Sequence, residues 1–323
     1  MAEGRIPLRD RLTSGLFIGM IRLARLLPYR RRIPAMGWAF AHIAGPLAGW
    51  PKRVRANLAL ARPDLPEAEV RRLTRAVPDN AGRAMMETYS GAEFTARIAA
   101  SDPLTGPGLP ALEQAVAAGR PVVLAAAHFG NYDAMRAGMI ARGWKVGGLY
   151  RPMNNEAFNR HYVPAISTIG EPLFPRSRAG LIAMIRFLRG GGLLALGFDQ
   201  YDHHGTTLRF FGLPTETVLT PAELALRHDA LLIPVTAIRQ PDGLSFRIRV
   251  GEPVPHGEPA EMMQALNDDL EVMVRAHMEQ WLWVHRRWKK RRGGDVEPGD
   301  EPDDRPAPVG GPETVSLDPD NSL

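Results

Sequence analysis

The chain contains no cysteine among its 323 residues. This absence excludes a disulfide scaffold, a thiolate nucleophile and a cysteine-ligated zinc site, and it is compatible with a reducing compartment. The sequence also lacks a G-x-S-x-G segment, the strained turn that exposes the serine nucleophile of many hydrolases. A covalent intermediate on an enzyme side chain therefore has no obvious nucleophile.

Long apolar runs are also missing. The longest stretch without a charged residue covers residues 33–51 and is broken by prolines, which makes it a weak candidate for a membrane span. The N-terminus does not resemble a cleaved signal, because Arg22 and Arg25 interrupt its apolar run. Leu16–Leu27 is instead apolar on one side and basic on the other, as in a helix that lies in a membrane interface. The alternatives are an ordinary amphipathic helix over the core and a single membrane span.

Positive charge dominates the body of the chain. There are 40 Lys and Arg residues against 35 Asp and Glu residues, a net charge of +5. Residues 293–323 hold nine acidic residues and one arginine, which leaves a net charge of +13 on the rest. Such a body attracts an anionic lipid surface, a nucleic acid or an acidic carrier protein. Residues 293–323, rich in Pro, Gly and Asp, are predicted to form a disordered acidic tail.

The pattern of apolar residues changes near residue 111. Helical patterns dominate from Leu8 to about Ala100, and Pro66 followed by two glutamates marks one helix start. The predicted strands after that are Pro121–Ala127, Lys145–Tyr150, Leu193–Gly197, Leu231–Ile238 and Leu244–Val250. The predicted helices are Ala111–Ala118, Ala134–Ala141, Ala179–Leu188, Ala222–His228 and about Glu261–Trp288. This alternation implies an α/β fold with a mostly parallel central sheet flanked by helices. We assign residues 1–52 to N-terminal membrane-associating helices and residues 53–292 to the main domain.

The most informative motif is His128-Phe-Gly-Asn-Tyr-Asp133, directly after the predicted strand Pro121–Ala127. Ligands of open α/β sheets bind at the carboxyl ends of strands, where a loop turns into a helix. Gly130 allows a tight turn or the close approach of a substrate. Asp133 falls in the first helical turn, and we expect its carboxylate to fix the tautomer of His128 and stabilise the imidazolium. The alternative is a histidine that ends a strand and an aspartate that caps a helix.

This segment resembles the His-x4-Asp/Glu motif of glycerolipid acyltransferases, and it is most similar to the branch containing the lauroyl and myristoyl acyltransferases of lipid A biosynthesis. Further blocks resemble this branch in the same order, over roughly residues 10–290. They are Val54-Arg-Ala-Asn57-Leu58 with Pro63, Tyr150-Arg151-Pro152 with Asn154, Arg178 before Leu188-Arg-Gly190, Leu194–Phe198 with Asp199-Gln200, Phe210-Phe211-Gly212 with Thr217, and Gln280-Trp-Leu-Trp-Val-His-Arg-Arg-Trp-Lys289.

The resemblance implies the glycerolipid acyltransferase fold and an acyl transfer without a cofactor or a metal. His128 would deprotonate a lipid hydroxyl, which attacks the thioester of an acyl chain on acyl carrier protein, while Asp133 orients His128. The expected substrate-binding residues are Gly130, Asn131, Arg151, Arg178 and Asp199. The two arginines are candidates for binding phosphate or stabilising the oxyanion.

The same resemblance implies a lipid A precursor or a related membrane glycolipid as acceptor. It places the protein on the cytoplasmic face of an inner membrane, attached peripherally or by a single span. Asp133 stands where the lipid A branch usually carries Glu. Because Asp also serves there in the glycerol-phosphate branch and in mycobacterial-type mannoside acyltransferases, the chemistry is retained and the acceptor stays open. A phospholipid or aminolipid acceptor and hydrolysis of an acyl ester are the alternatives.

Two other clusters allow different interpretations. His203-His204 with Asp199 and Asp202 could form a metal site, but no known ligand spacing is present and adjacent histidines on a strand point to opposite faces. We therefore favour a polar loop. The tryptophans and arginines of residues 281–292 could stack on nucleic-acid bases. The same mixture anchors proteins at a bilayer interface, and given the lipid resemblance we expect that role and no nucleic-acid partner.

Overall fold

The structure, a computed structural model, describes residues 6–289, and the predicted acidic tail of residues 293–323 lies outside them. The N-terminal part is helical up to residue 101. Its elements are α1 (Leu8–Ala24), α2 (Tyr29–Ala39), a π-helical turn (Phe40–Ala44), α3 (Gly45–Leu47), α4 (Trp50–Ala61), α5 (Glu67–Thr88) and α6 (Gly91–Ser101). As predicted, α5 begins directly after Pro66. Glu67 and Glu69 lie in its first turn, where the helix dipole stabilises carboxylates.

The N-terminal helices share one apolar core with the rest of the chain. Ile33, Phe40 and Trp50 are almost fully buried, in the same cluster as the apolar residues of the central strands. The core therefore continues across residue 52, where the sequence suggested a division. Within residues 6–289, no helix is both long and apolar enough to cross a membrane.

A mostly parallel sheet lies at the centre of the fold, as predicted. The strands are β1 (Leu104–Thr105), β2 (Val122–Ala126), β3 (Val146–Tyr150), β4 (Leu173–Pro175), β5 (Leu193–Gly197), β6 (Thr206–Phe210), β7 (Leu213–Thr217), β8 (Leu231–Arg239) and β9 (Phe246–Val250). Seven of them form one sheet in the order β1-β9-β8-β2-β5-β3-β4, in which β8 and β9 alone are antiparallel. The central strands β2 and β5 are buried along their whole length, as parallel strands covered on both faces should be. β6 and β7 form a separate antiparallel hairpin.

Helices that lie between the strands or follow the last of them pack around this sheet. They are α7 (Leu109–Ala117), α8 (Tyr132–Ala141), α9 (Glu156–Ile169), α10 (Arg178–Arg189), α11 (Thr220–Arg227) and α12 (Pro259–Ala276). α7 and α11 contact β2 and β8, α8 contacts β3, β8 and β9, and α10 contacts β3, β4 and β5. α9 is not among the predicted elements. Its internal Pro164 weakens the helical signal of the sequence.

The last predicted helix is wrong in its C-terminal part. α12 ends at Ala276, and a short 3₁₀ turn (Met278–Gln280) and an irregular segment follow. Besides short-range turns of its own, the backbone of this segment bonds to the loop after β2. Phe129 and Trp281 form an antiparallel bridge, and Leu282 N–H donates to the carbonyl oxygen of His128 at 2.9 Å. These tertiary hydrogen bonds override the local helical preference.

Candidate active site

His128 and Asp199 follow two neighbouring parallel strands. In the pairing of β2 with β5, Ala126 lies opposite Gly197. His128 and Asp199 each stand two positions beyond these partners, so the loops that carry them leave the sheet side by side. This is the edge at which open α/β sheets bind their ligands.

A carboxylate holds the imidazole of His128. His128 Nδ1 lies 2.8 Å from Asp199 Oδ1. The backbone N–H of His128 and the indole N–H of Trp281 both donate to Asp199 Oδ2, each at 2.9 Å. Because Nδ1–H donates to the carboxylate, the lone pair of the neutral ring is at Nε2. His128 is thereby held in the tautomer that accepts a proton at Nε2.

The Asp199 carboxylate is buried, with 1% of the residue exposed. Burial alone would raise its pKa, but attraction to the His128 ring and the hydrogen bonds from His128 hold the pKa below its ordinary value. The group therefore stays ionised wherever an imidazole titrates. It offers a full negative charge to the imidazolium that forms when His128 takes a proton.

The other ring nitrogen of His128 faces an amide. Gln200 Nε2 lies 3.2 Å from His128 Nε2 and 3.2 Å from His285 Nε2, so one amide group bridges two imidazoles. Burial, followed by repulsion from His128, lowers the pKa of His285 to about 3, so this second ring is neutral near pH 7. An incoming hydroxyl has to displace Gln200 before His128 can take its proton at Nε2.

Asp133 does not make the expected contact with His128 in the described structure. Its carboxylate accepts hydrogen bonds from Arg136 Nη1 at 3.0 Å and from Thr88 Oγ1 at 3.2 Å. The helix explains this pairing, because residues three apart lie on the same face. Burial raises the pKa of Asp133, and Arg136 opposes that shift. Asp199 takes the place beside His128 that the sequence assigned to Asp133, and a part for Asp133 in catalysis stays a prediction.

The turn between His128 and α8 has a tightly constrained backbone. Gly130 has a φ of +57°, and a Cβ at this position would lie 1.9 Å from the carbonyl oxygen of Ala237. The expectation of a tight turn at Gly130 is confirmed. Asn131 caps α8, with its Oδ1 accepting the N–H of Asp133 at 3.0 Å, and its Nδ2 donates to Glu87 Oε2 at 2.8 Å. That Gly130 and Asn131 contact substrate stays a prediction.

A buried ion pair supports this turn, and the sequence analysis missed it. Glu87 is 0% exposed and Arg239 is 8% exposed, and Arg239 binds both oxygens of the glutamate. Arg239 also donates to Asn80 Oδ1 at 2.9 Å, and Asn80 Nδ2 donates to the carbonyl oxygen of Gly130 at 3.0 Å. The sequence offered one sign of this buried pair, the position of Glu87 directly after the apolar run at residues 84–86.

Arg151 and Arg178 lie at the same edge of the sheet but not beside His128. Arg151 directly follows β3, and Arg178 begins α10 after β4; both are exposed. In the strand order β2-β5-β3-β4, strands about 4.8 Å apart put β3 roughly 10 Å and β4 roughly 14 Å from β2. Arg151 Nη2 lies 3.3 Å from Asn154 Oδ1. The use of Arg151 and Arg178 as ligands of phosphate or of the oxyanion stays a prediction.

The C-terminal tryptophans belong to the core of the site and not to the surface. Trp281 and Trp283 are 1% and 0% exposed, and their rings pack edge to face with centroids 4.7 Å apart. The expectation that they anchor the protein at a bilayer interface is therefore wrong for these two residues. In the described structure both rings pack in the core, and the indole N–H of Trp281 donates to Asp199 while that of Trp283 donates to the carbonyl oxygen of Met278.

The residues considered as a metal cluster serve other contacts. Asp199 holds His128, and Asp202 Oδ1 accepts the backbone N–H of His204 at 3.0 Å. The side chains of His203 and His204 are exposed. Within residues 6–289, no group of three or more His, Asp or Glu side chains is arranged to hold a metal ion.

Comparison with known proteins identifies the family. Residues 7–290 match the family described as bacterial lipid A biosynthesis acyltransferase. The chain is 26% identical over 246 residues to a phosphatidylinositol mannoside acyltransferase of Mycobacterium tuberculosis, which covers 74% of this chain and 78% of that protein. It is 27% identical over 255 residues to the lipid A biosynthesis lauroyltransferase of Escherichia coli (75% and 80% covered), and 23% identical over 305 residues to the myristoyltransferase of the same organism (88% and 90% covered). With a family match over nearly the whole described chain, and relatives that are all named as acyltransferases, this protein is an acyltransferase of the bacterial lipid A biosynthesis family.

Proposed function

We propose that this protein transfers a fatty acyl chain from acyl carrier protein to a hydroxyl group of a membrane glycolipid, with His128 as general base. The observation that carries the proposal is the contact between His128 Nδ1 and Asp199 Oδ1 at 2.8 Å, which leaves the Nε2 lone pair for the acceptor proton. The relatives are named for lipid A and for phosphatidylinositol mannoside, which are both sugar-containing lipids. A lipid A precursor or a related glycolipid is therefore the acceptor we propose.

The reaction needs one base and no covalent intermediate on the protein. His128 Nε2 takes the proton of the acceptor hydroxyl as its oxygen attacks the thioester carbonyl carbon, which becomes tetrahedral. The carbonyl then re-forms, the carbon–sulfur bond breaks, and the thiolate takes the proton back from the imidazolium. The products are an ester and a free carrier thiol. Asp199 stabilises the imidazolium between the two proton transfers.

The surroundings of His128 favour direct transfer over hydrolysis through an acyl-enzyme. Within residues 6–289, the hydrogen-bond partners of the His128 ring are Asp199 and Gln200, and its aromatic neighbours are Tyr132 and His285. No serine or threonine hydroxyl in this part of the chain hydrogen-bonds to the ring. A serine nucleophile would need such a bond to be activated.

Charge supports an acidic donor and a phosphorylated acceptor. The chain outside residues 293–323 carries a net charge of +13, which attracts an acidic carrier protein. Arg151 and Arg178, exposed at the active edge of the sheet, are the proposed ligands of acceptor or donor phosphate groups. Asp133 completes the proposed catalytic set by holding Arg136 and the start of α8 in place behind His128.

A leucine-rich face on α1 supports the proposed attachment to a membrane surface. At 100° per residue, four leucines fall within an arc of about 80° on α1, and its buried residues lie on the opposite side. The four leucines are Leu8, Leu12, Leu16 and Leu23, with 69%, 64%, 81% and 69% exposure. The buried residues are Ser14, Ile18 and Ile21. A helix that packs on the core with one face and exposes leucines on the other is suited to lie in a lipid interface, so we propose peripheral attachment.

A transfer assay tests the proposed reaction. The purified protein is incubated with acyl carrier protein bearing a radiolabelled acyl chain and, in separate reactions, with a lipid A precursor, a phosphatidylinositol mannoside, a lysophospholipid or no acceptor. We expect label in a glycolipid. Label in the lysophospholipid alone would overturn the acceptor class, and release of free fatty acid without acceptor would establish a hydrolase.

The assay needs matched histidine variants. His128→Ala should lower the rate on the order of 10²–10⁴-fold, the usual contribution of a positioned base. His256→Ala is the control, because His256 bonds to the carbonyl oxygen of Ala230, away from the site. Circular dichroism checks that both variants fold. A folded His128→Ala protein with the wild-type rate would remove the base from the mechanism.

A further inference from the structure

An open groove runs between the π-helical turn Phe40–Ala44 and the first half of α5. Its volume is about 670 Å³. The lining residues are Ala41, His42, Ala68, Arg71, Arg72, Arg75, Ala76 and Asp79. Three of the eight are alanines, which leave room between the longer charged side chains. The groove is therefore wide enough for a small polar group, and its charged lining residues are three arginines and one aspartate.

The positive charge in the groove is only partly balanced within the described chain, where Arg71 attracts Glu67 without forming an ion pair. Arg72 pairs with Glu69 and Glu279, and Asp79 pairs with Arg83. Arg71 and Arg75 are exposed, and within residues 6–289 neither side chain makes a hydrogen bond or an ion pair. They stand four residues apart on one helix, where like charges repel. Two unpaired guanidinium groups held side by side are suited to bind an anion, since each can donate two parallel hydrogen bonds to phosphate.

His42, which lines the groove, stands among exposed apolar residues of the helical run from α2 to α3. His42 Nδ1 lies 2.9 Å from the carbonyl oxygen of Trp38, and the two rings stack with centroids 5.0 Å apart. Trp38, Ile43 and Leu47 are 56%, 51% and 85% exposed. Exposed tryptophan and aliphatic side chains beside arginines are the combination that proteins use at the level of lipid headgroups.

We propose that this groove binds the phosphate headgroup of an anionic membrane lipid, with Arg71 and Arg75 as its main ligands. The proposal rests on the membrane attachment proposed above. The exposed side chains of Trp38, Ile43 and Leu47 favour a lipid over an acidic protein, because they would enter the bilayer while the arginines meet phosphate.

The groove is separate from the catalytic site but rigidly connected to it. Arg75 precedes Glu87 by twelve residues on α5, a distance of about 18 Å at 1.5 Å per residue. Glu87 bonds to Asn131, in the turn that follows His128. A lipid bound in the groove would thus fix the orientation of the active edge relative to the membrane surface.

Vesicle binding of the full-length protein tests the proposal. Flotation is measured with vesicles of phosphatidylcholine alone and with added phosphatidylglycerol. Each basic residue near an anionic surface contributes about 1 kcal/mol, so the double variant Arg71→Gln/Arg75→Gln should bind the anionic vesicles roughly 30-fold more weakly. The control is Arg186→Gln/Arg189→Gln, which removes the same charge from the last turn of α10. We expect it to change binding less than about threefold, as distant charges are screened.

The other outcomes distinguish failure of the groove proposal from failure of the proposed membrane attachment and of the proposed reaction. An equal loss in both double variants would overturn the groove and leave only general attraction. Displacement of the wild-type protein from vesicles by millimolar inorganic phosphate would assign the site to a free anion. Weaker binding of the Arg71/Arg75 variant to acyl carrier protein, with unchanged vesicle binding, would assign it to the carrier. If the wild-type protein binds no vesicle, the proposed membrane attachment is overturned. The proposed reaction would still stand if the same preparation transfers the acyl chain to an acceptor dispersed in detergent.

Discussion

Replacing Asp199 with asparagine tests the mechanism most directly, because it changes one oxygen and almost no volume. In the wild-type protein, Oδ1 accepts from His128 Nδ1, and Oδ2 accepts from two N–H groups, the backbone of His128 and the indole of Trp281. An asparagine has one oxygen for these three donors. If the asparagine oxygen lies at the Oδ2 position, it keeps two hydrogen bonds. If it lies at the Oδ1 position, it keeps one hydrogen bond, and the asparagine NH₂ group faces two donors.

The first arrangement should dominate, since each unsatisfied buried donor costs about 1–3 kcal/mol. The asparagine NH₂ group then faces Nδ1 of His128 and can only donate to it. The ring must carry its proton at Nε2, where it has no lone pair left for the acceptor hydroxyl. The variant also loses the negative charge that stabilises the imidazolium. In a serine protease triad the same change costs about 10⁴-fold in kcat, or about 5 kcal/mol of activation free energy, and we expect 10³–10⁴-fold here.

Two measurements check this prediction. The transfer assay gives kcat, and ¹⁵N NMR of histidine-labelled protein reports which ring nitrogen of His128 carries the proton. Asp202→Asn is the matched control, because Asp202 is also buried, at 7% exposure, and accepts a backbone N–H of the same loop. A near wild-type rate in Asp199→Asn, or an unchanged tautomer, would refute the assigned role.

Asp133→Asn separates the observed pair from the pair that the sequence suggested. Asp133 contacts Arg136 and Thr88, so its neutralisation leaves a buried guanidinium without its partner and should lower the free energy of unfolding. It should not change the tautomer of His128. If Asp133→Asn alters the tautomer and Asp199→Asn does not, the pairing of His128 with Asp133 is the functional one.

Three further changes test other parts of the structure. Gln200→Leu removes the N–H group that lies 3.2 Å from His128 Nε2, so the acceptor hydroxyl no longer competes with it for the Nε2 lone pair and the KM for the acceptor should fall; an unchanged KM would contradict the contact. Gly130→Ala brings a Cβ to 1.9 Å from a backbone oxygen of β8 and should therefore displace the turn. We expect kcat of the folded variant to fall by about 10²-fold or more. Wild-type kinetics would show that the turn accommodates the added Cβ. Leu12→Gln/Leu16→Gln should weaken binding to phosphatidylcholine vesicles about tenfold or more. Thermal stability should change little, since both side chains point away from the core. A loss of stability with unchanged binding would show that this face has a structural role.

The central strands of the sheet and the position of His128 could be predicted from the sequence, whereas the short edge strands β1 and β4 were missed. Parallel strands buried on both faces form continuous apolar runs, so β5 is predicted with its exact bounds and β2 to within one residue at each end. His128 comes directly after such a run, at the edge where ligands bind. Local pattern therefore suffices to locate the loop that carries His128.

The partner of the base was not readable in the same way. The contact of His128 with Asp199 joins residues 71 positions apart and depends on the pairing of β2 with β5, which no local pattern reports. Asp133, only five residues from His128, was the nearer candidate in sequence. The resemblance to the lipid A branch indicated Asp199 as functional, but not that it contacts the imidazole. The buried pair of Glu87 and Arg239 depends on tertiary structure in the same way.

The C-terminal segment explains why a run of tryptophans and arginines is needed so far from His128 in sequence. Gln280 accepts the N–H of Gly130 on its carbonyl oxygen at 2.8 Å, and Leu282 donates its N–H to the carbonyl oxygen of His128 at 2.9 Å. Trp281, between them, bonds to Asp199, so three consecutive residues hold both catalytic loops. The segment packs like an added strand against the turn after β2, and His285 follows to hold the Gln200 amide. The buried aromatic residues Trp281 and Trp283 therefore serve inside the protein, where Trp281 holds the carboxylate that contacts His128.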